Sequence, residues 1–318
     1  MPAKQKKHEL ITWDTVKPKA ITWLWQDRIP FGKISIMVGD SGLGKTTVAL
    51  DIAARLTTGR PMPLSDAEPI TGAVIFQSNE DEVDDTLLPR GISAGAVPSK
   101  IASIKAADLN IDEDCGIIEE YVQKIGARLI VFDPLQSFTG KSADMNRITD
   151  MRRLLTNLGG LAARNDCAIL IIAHQTKSQG TNELHRLFGS VDIGATARSV
   201  LRVSASDSDK NIRIISHIKS SMSRPAAPLA FRIDDSSSIE YLGEYDGDIE
   251  SLEIPDDDNK ETKATEIMYT MLANGAVKGA EIYEACKAAG IGSRTVETAK
   301  KNAGVISLKD GTGMWKLP

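Results

Sequence analysis

Eight consecutive residues match the pattern G-x-x-x-x-G-K-[ST]; they are Gly39, Asp40, Ser41, Gly42, Leu43, Gly44, Lys45 and Thr46. Glycines let the backbone N–H groups of such a loop turn towards a polyphosphate without a Cβ in the way. The amino group of Lys45 can reach the β- and γ-phosphates, and the Thr46 hydroxyl can ligate Mg²⁺. We therefore expect residues 39–47, including Thr47, to bind a polyphosphate.

A strand and a helix are predicted on either side of this loop. Residues 34–38 are apolar and rich in β-branched side chains, and apolar residues recur at helical spacing over 47–56. The N-terminus of that helix would direct its dipole at the phosphates. A chance match to the pattern brings no such context, so the sequence favours a phosphate-binding loop.

Polar residues follow three further predicted strands. Asn79 and Glu80 follow the predicted strand 72–78, and Asp133 is the last residue of the strand 127–133. His174 and Gln175 follow the strand 168–173. An aspartate that ends an apolar strand downstream of a phosphate loop can hold Mg²⁺, directly or through a water. We therefore expect Thr46 and Asp133 to be the metal ligands.

The predicted strands alternate with helices up to about residue 198. This order indicates an α/β fold, with a mostly parallel, twisted sheet and helices on both faces. Ligands of such sheets bind at the carboxyl ends of the strands, where the loop, Glu80, Asp133 and Gln175 would converge. Later strands, at 199–203, 211–219 and 227–233, would extend the sheet as antiparallel hairpins.

Changes in composition divide the chain into four parts. They are an entry segment (1–32), the α/β domain (33–240), an acidic exposed linker (241–261) and a compact tail (262–318). Trp23, Trp25 and Arg28 of the entry segment either pack on the core or form a wall near the nucleotide base. Both interpretations stay open at this point.

The tail has the element order of a winged-helix domain, with three predicted helices and a hairpin around Asp310-Gly311-Thr312. We expect Ser293 to cap the third helix, which carries Arg294, Thr295, Lys300 and Lys301, and Lys309 lies in the wing. The tail has eight basic and five acidic side chains. A local basic face is typical of DNA contact, and an oligomerisation or protein-docking module is the alternative.

Composition limits the function classes. The net charge of −5 argues against a protein that binds polyanions over its whole surface, so any nucleic-acid contact must be local. Three scattered cysteines without CxxC spacing argue for a reducing compartment and against a zinc site. No apolar run is long enough for a membrane span, so we expect a cytoplasmic protein with no membrane partner.

In combination, these pieces resemble the RecA-like ATPases of the plasmid RepA helicase type. The resemblance covers residues 20–235 and rests on the order and spacing of five pieces: Trp23-Leu24-Trp25 with Arg28-Ile29-Pro30, the loop, Asn79-Glu80-Asp81, Phe132-Asp133 and Ala173-His174-Gln175. It implies a RecA-like P-loop core, to which the tail would add the winged-helix-like domain that its element order predicts. It also implies that the cofactors are ATP and Mg²⁺ and that the protein is a homo-oligomer, either a hexamer or a filament.

The resemblance also implies catalytic roles. Glu80 would be the base that polarises the attacking water, beside Lys45, and His174 or Gln175 would sense the γ-phosphate. The segment Gly189-Ser190 followed by Arg198 resembles the one that carries an arginine finger. Lys219 resembles a RecA lysine that reaches a neighbour's ATP, although Ser221 stands where RecA has a second lysine. Arg198, Lys219 and Arg224 therefore compete for the role in trans.

In this family two loops, 136–147 and 176–187, would face DNA through nonspecific phosphate contacts, most naturally with single strands. The function implied is an ATP-driven motor in DNA replication, recombination or repair, with replication proteins as further partners. Two alternatives share its residues: an ATP-switched DNA-binding, recombination or helicase-loading protein that does not unwind DNA, and a regulator that binds an operator through its tail. A small-molecule kinase would need a lid and an acceptor pocket that the sequence does not show.

Overall fold

The computed structural model describes residues 10–105, 109–138, 148–174, 196–206, 209–247, 257–273, 275–308 and 313–317. The chain forms two compact units, Met1–Asp248 and Ile249–Pro318. None of the described helices combines the length and the apolar character that a membrane span needs.

The first unit is built on a central sheet with helices packed against it. Its strands are β1 (Trp23–Trp25), β2 (Ile29–Pro30), β3 (Ile34–Gly39), β4 (Ala73–Ser78), β5 (Ile101–Ala102), β6 (Ala127–Asp133), β7 (Ala168–His174), β8 (Ser199–Ala205), β9 (Ile212–Ser220), β10 (Leu229–Ile233) and β11 (Ile239–Glu244). Its α-helices are α1 (Lys45–Thr58), α2 (Leu88–Ser93), α3 (Cys115–Ile125) and α4 (Ile148–Asn165).

Among the residues that the structure describes, nine strands form the central sheet, in the order β11-β10-β9-β8-β3-β7-β6-β4-β5. Strands β8, β3, β7, β6, β4 and β5 run parallel, and β9, β10 and β11 continue from β8 as antiparallel strands. All six residues of β3 are buried, as expected for a strand covered on both faces. The predicted α/β fold with a mostly parallel sheet and antiparallel later strands is thereby confirmed.

The entry segment belongs to the core of the first unit from Trp23 onwards. β1 and β2 form a two-stranded antiparallel ribbon, and Trp25 and Ile29 are fully buried in the same apolar cluster as α1. The Trp25 indole donates a hydrogen bond to the carbonyl of Pro63, 3.0 Å away. Arg28 lies over the Trp25 ring and donates to the carbonyl of Ala227. Of the two interpretations left open by the sequence, core packing is the correct one.

The second unit has three helices and a small antiparallel sheet. Its elements are α5 (Asp257–Leu272), β12 (Val277–Lys278), α6 (Gly279–Ala288), α7 (Ser293–Asn302), β13 (Ile306–Ser307) and β14 (Met314–Lys316). The strand order is β12-β14-β13. Met268, Ile282 and Val296, one from each helix, are fully buried in a shared core with Trp315.

Several sequence-based expectations need correction. The linker expected from residue 241 is β-strand up to Glu244, since β11 pairs with β10, and α5 begins at Asp257, inside the expected linker. Residues 112–125 are predicted as a helix with Ile117, Ile118, Tyr121 and Val122 on one face, but in α3 only Ile118 and Val122 are buried, and Ile117 and Tyr121 are 49% and 41% exposed. Ser293 is not the N-cap of α7; Gly292 is, and it makes no side-chain cap.

Candidate nucleotide-binding site

Glycines shape the loop between β3 and α1. Gly39, Gly42 and Gly44 have φ of +152°, +79° and +87°, a region that side-chain-bearing residues rarely adopt. A Cβ on Gly39 would lie 2.3 Å from the backbone oxygen of Val203, and one on Gly44 would lie 2.2 Å from Cδ1 of Ile233. Gly42 has open space around it. Gly39 is therefore needed for close approach as well as for backbone conformation, whereas the Ile233 side chain beside Gly44 can shift.

Lys45 places a buried cation inside this loop. Its side-chain amino group donates to the carbonyls of Gly39 and Asp40, each at 2.8 Å. Burial lowers the pKa of Lys45, and the negative charges of Asp133, Asp40 and Glu80 partly oppose that shift. The amino group therefore lies at the centre of the loop, where the motif requires it.

Thr46, in the first turn of α1, contacts Asp133, the last residue of β6. The Thr46 hydroxyl donates to Oδ2 of Asp133 at 2.6 Å, although the two residues are 87 positions apart. Burial raises the pKa of Asp133; the hydrogen bond from Thr46 opposes this, and the carboxylates of Glu80 and Asp81 add to it. A buried carboxylate with other acids nearby and a hydroxyl at its side is a donor set that suits Mg²⁺.

No group of three or more His, Cys, Asp or Glu side chains suited to a metal occurs among the described residues. Mg²⁺ does not need one, because it usually keeps several waters and is held by one or two protein groups together with substrate phosphates.

Glu80 lies beside this pair. β4 and β6 are adjacent and parallel, and Ser78 at the end of β4 is level with Asp133. The hydroxyl of Ser78 accepts hydrogen bonds from the backbone N–H groups of Glu80 and Asp81, at 3.3 and 3.1 Å, which fixes the turn. Glu80 is exposed, and its charge acts on both Asp133 and Lys45. The loop, Asp133 and Glu80 are thus brought together at the carboxyl ends of the parallel strands.

Arg198 and Lys219 lie at the opposite ends of the parallel strands, and Arg224 follows four residues after the end of β9. The backbone N–H of Arg198 donates to the carbonyl of Ile34, at the start of β3, whereas the loop begins at Gly39, at its end. Lys219 is level with the second residue of β8, and its amino group donates to the carbonyl of Ala197. At about 3.3 Å per residue, Ile34 and Gly39 are roughly 16 Å apart. These cations therefore cannot reach a nucleotide held by their own chain's loop.

Some predicted site residues cannot be placed. Gln175, the segment 189–190 and nearly all of the loops 136–147 and 176–187 lie outside the described residues. His174 ends β7 and is level with Gly39. The residues Asp310-Gly311-Thr312 and Lys309 of the tail also lie outside the description.

Sequence reasoning missed two residues that contact the loop. Ile233, at the end of β10, approaches Gly44, and Cδ of Arg213, near the start of β9, lies 4.0 Å from the position of a Cβ on Gly44. No local pattern marks either residue, because their positions depend on how the antiparallel strands curl back towards α1.

A phosphate loop at the end of the central strand of a parallel sheet, facing a hydroxyl and a carboxylate on neighbouring elements, defines a RecA-like P-loop ATPase. The model of the AAA domain family matches residues 2–180, and the chain belongs to this family.

Comparison with known proteins supports this class. The chain is 22% identical over 149 residues to the DNA repair protein RadA of Mycobacterium tuberculosis, in strains CDC 1551 / Oshkosh and ATCC 25618 / H37Rv. That match covers 46% of the chain but only 28% of RadA, so the chain spans little more than a quarter of these relatives. The crystal structure of the RadB recombinase has the same fold, with a TM-score of 0.50 and 17% identity, over 67% of this chain and 91% of that one.

Proposed function

We propose that the protein hydrolyses ATP and uses that reaction to act on DNA in replication, recombination or repair, as an oligomer with ATP at its subunit interfaces. The observation that carries the hydrolysis part is the 2.6 Å hydrogen bond between Thr46 and Asp133, with Lys45 and Glu80 at the same strand ends. This arrangement puts a phosphate cradle, a metal-binding pair and an exposed carboxylate around one point.

The residues around the loop of one chain divide the steps of the proposed reaction among them. The carboxylate of Glu80 orients a water and takes its proton as the water oxygen bonds to the γ-phosphorus, and the bond from that phosphorus to the β–γ bridging oxygen breaks, leaving ADP and phosphate. Lys45 stabilises the negative charge on the phosphate oxygens. Thr46 and Asp133 would hold Mg²⁺, which supplies charge neutralisation at the β- and γ-oxygens.

The first experiment compares Glu80→Gln with Lys45→Ala in steady-state phosphate release. Glu80→Gln should retain ATP binding and lose about 100-fold or more in kcat, the usual contribution of a general base. Lys45→Ala should weaken binding as well. Glu82→Gln, two residues along the same acidic turn, is the matched control and should hydrolyse ATP normally. Wild-type hydrolysis by Glu80→Gln would refute the assignment of the base.

DNA as the partner is supported by the relatives, which are named a DNA repair protein and a recombinase. Those names also favour the second candidate, an ATP-switched recombination or loading protein without unwinding activity. A forked-duplex assay separates the two: strand displacement supports the motor, and DNA-stimulated hydrolysis without displacement supports the second. Short single-stranded and duplex oligonucleotides in the same hydrolysis assay test the preference for single strands.

We also propose that the second unit is a winged-helix-like domain. Its elements follow one another as helix, strand, helix, helix, strand, strand, which is the order of such domains. If it makes the protein an operator-binding regulator, a sequence-specific footprint should appear with the full chain and should survive Lys45→Ala. A footprint without sequence preference supports the nonspecific role.

A further inference from the structure

The direction in which a bound triphosphate must run is fixed by the two sides of β3. β7, β6 and β4 lie on one side, and they bring Asp133 and Glu80 to the loop. The γ-phosphate belongs on that side, because the metal pair and the base are there. The nucleoside end must leave on the other side, towards β8, β9 and β10. This reasoning rests on the proposed nucleotide site.

Two side chains meet the loop on that second side. Ile233 packs so closely on Gly44 that a Cβ there would lie 2.2 Å from its Cδ1, and Arg213 follows at 4.0 Å. Arg213 pairs with Phe231 on β10 and with Ala205 on β8, so its backbone is held by a strand on each side. An arginine on a paired strand, next to an apolar side chain, forms a rigid wall.

The guanidinium of Arg213 has few partners among the described residues. Its Nε is buried and has no hydrogen-bond partner there, and its Nη1 reaches only the carbonyl of Asn211, at 3.5 Å. No ion pair of Arg213 occurs within that part of the chain. The face of an aromatic ligand can cover the guanidinium plane and gain a cation–π contact.

We propose that Arg213 and Ile233 form the nucleoside wall of the ATP site, with the guanidinium plane against the face of the base and Ile233 against the sugar. A planar cation over an aromatic face is an attractive arrangement that needs no particular hydrogen-bond pattern. The wall therefore adds affinity for a purine nucleotide over bare polyphosphate and does not take part in hydrolysis.

The test measures binding of MgADP and of magnesium tripolyphosphate to the full-length protein by titration calorimetry. Arg213→Ala should weaken ADP about tenfold, within the range known for desolvated cation–π contacts, and leave tripolyphosphate within about twofold of wild type. In hydrolysis it should raise KM for ATP at nearly constant kcat. Arg232→Ala is the matched control. Arg232 is an arginine on the neighbouring strand β10, its side chain is half exposed, and it forms an ion pair with Glu240.

Arg213→Lys separates the possible roles. Lysine keeps the charge and loses the plane, so it should behave like alanine towards ADP. If lysine restores ADP binding, or if tripolyphosphate weakens as much as ADP, Arg213 is a phosphate contact and the proposal is wrong. Unchanged ADP binding in Arg213→Ala, with a lowered melting temperature only, also overturns it. Failure of the proposed function itself would show separately, as hydrolysis that survives Lys45→Ala.

Discussion

At the residue scale, the loop glycines differ in what an added Cβ would meet. Gly39 and Gly42 both have positive φ, but only Gly39 faces a backbone atom, the oxygen of Val203 in β8. Gly42→Ala should cost about 1–2 kcal/mol, the usual penalty for a side chain in the left-handed region. Gly39→Ala should cost more, because the carbonyl of Val203 cannot move without disturbing the pairing of β3 with β8.

Urea denaturation of the two variants without nucleotide checks this order. Gly42→Ala is the matched control, since it changes the same loop by the same methyl group. Equal destabilisation by the two substitutions would mean that β8 yields to the added Cβ and that close approach does not select glycine at position 39.

His217 makes stability depend on pH. Its Nδ1 accepts from the backbone N–H of Ala226 at 3.0 Å, so its Nε2 carries the proton and donates to the Ser199 hydroxyl at 2.9 Å. Burial lowers the pKa of His217 to about 4, the charge of Arg28 adds to this, and that of Asp27 opposes it. The unfolded chain binds a proton near pH 6.5, before the folded chain can, so stability falls as pH drops from 6.5 towards 4.

His217 should therefore account for about 2 kcal/mol of the stability that disappears between pH 7 and pH 5. The measurement is the unfolding free energy of wild type and of His217→Gln at both pH values. The variant has no group that titrates at this position, so the advantage of wild type should shrink as pH falls. A constant difference between the two proteins would contradict the assigned pKa.

At the element scale, β11 is tied to the phosphate-loop helix through one buried network. The hydroxyl of Tyr241 donates to Oδ2 of Asp51 at 2.7 Å, and Arg55 donates to the same oxygen at 2.8 Å and lies over the Tyr241 ring. These contacts join β11, at one end of the sheet, to α1. The last strand of the sheet thus supports the helix that begins at the nucleotide.

Tyr241→Phe should lower the unfolding free energy by about 1 kcal/mol, since it removes one buried hydrogen bond and keeps the ring. Asp51→Ala should cost more, because it leaves both the tyrosine hydroxyl and Arg55 without the carboxylate. Tyr121→Phe is a matched control, as Tyr121 is 41% exposed. Chemical denaturation measures all three, and a Tyr241→Phe variant as stable as its control would mean that the network does not hold β11 in place.

β11 also shows where sequence reasoning stops. The strands β3, β6 and β7 are long apolar runs, and their identity and the convergence of the loop with Asp133 follow from the pattern alone. In β11 half-buried and exposed residues alternate. Its acidic residues, Glu240 and Glu244, make its composition resemble that of an exposed linker. Only pairing with β10 and the distant contact with Asp51 make it a strand, and neither is encoded locally.

At the scale of the whole molecule, the basic surface of the second unit is smaller than its sequence indicates. The amino group of Lys300 lies 3.7 Å from the centroid of the Trp315 ring, and its side chain is only 16% exposed. Arg294 and Lys301 of the same helix are exposed. The proposed DNA contact by α7 would therefore depend on those two residues, because Lys300 packs against Trp315.

The double variant Arg294→Glu, Lys301→Glu should weaken DNA binding and reduce the slope of log affinity against log salt by about 1 for each phosphate that the helix no longer neutralises. Fluorescence anisotropy over a salt series measures both. Lys287→Glu, an exposed lysine on α6, is the control for charge alone. Parallel weakening in all variants would point to the net charge of the unit and away from a DNA-facing helix.

The two ends of the central strands bear on the proposed assembly. The loop, Asp133 and Glu80 lie at the carboxyl ends of the parallel strands. Arg198 and Lys219 lie at the other ends, where they cannot contact a nucleotide bound by their own chain. A head-to-tail contact between copies would bring these other ends of one chain to the loop of the next, and such a contact generates rings or filaments. Burial and the charge of Arg198 lower the pKa of Lys219, whereas Arg198 is exposed, so Arg198 is the better candidate to reach outwards.

Mixing two inactive variants tests this arrangement directly. Lys45→Ala lacks a working loop and Arg198→Ala lacks the cation in trans, so each alone should lose most hydrolysis. In a mixture, a loop from the Arg198→Ala chain can face the intact Arg198 of a Lys45→Ala neighbour, and ATP hydrolysis should return as the two are combined. Repeating the mixture with Lys219→Ala or Arg224→Ala identifies which cation acts. A mixture that stays inactive with all three, while native mass spectrometry shows mixed oligomers, would mean that none of these cations crosses to a neighbouring nucleotide.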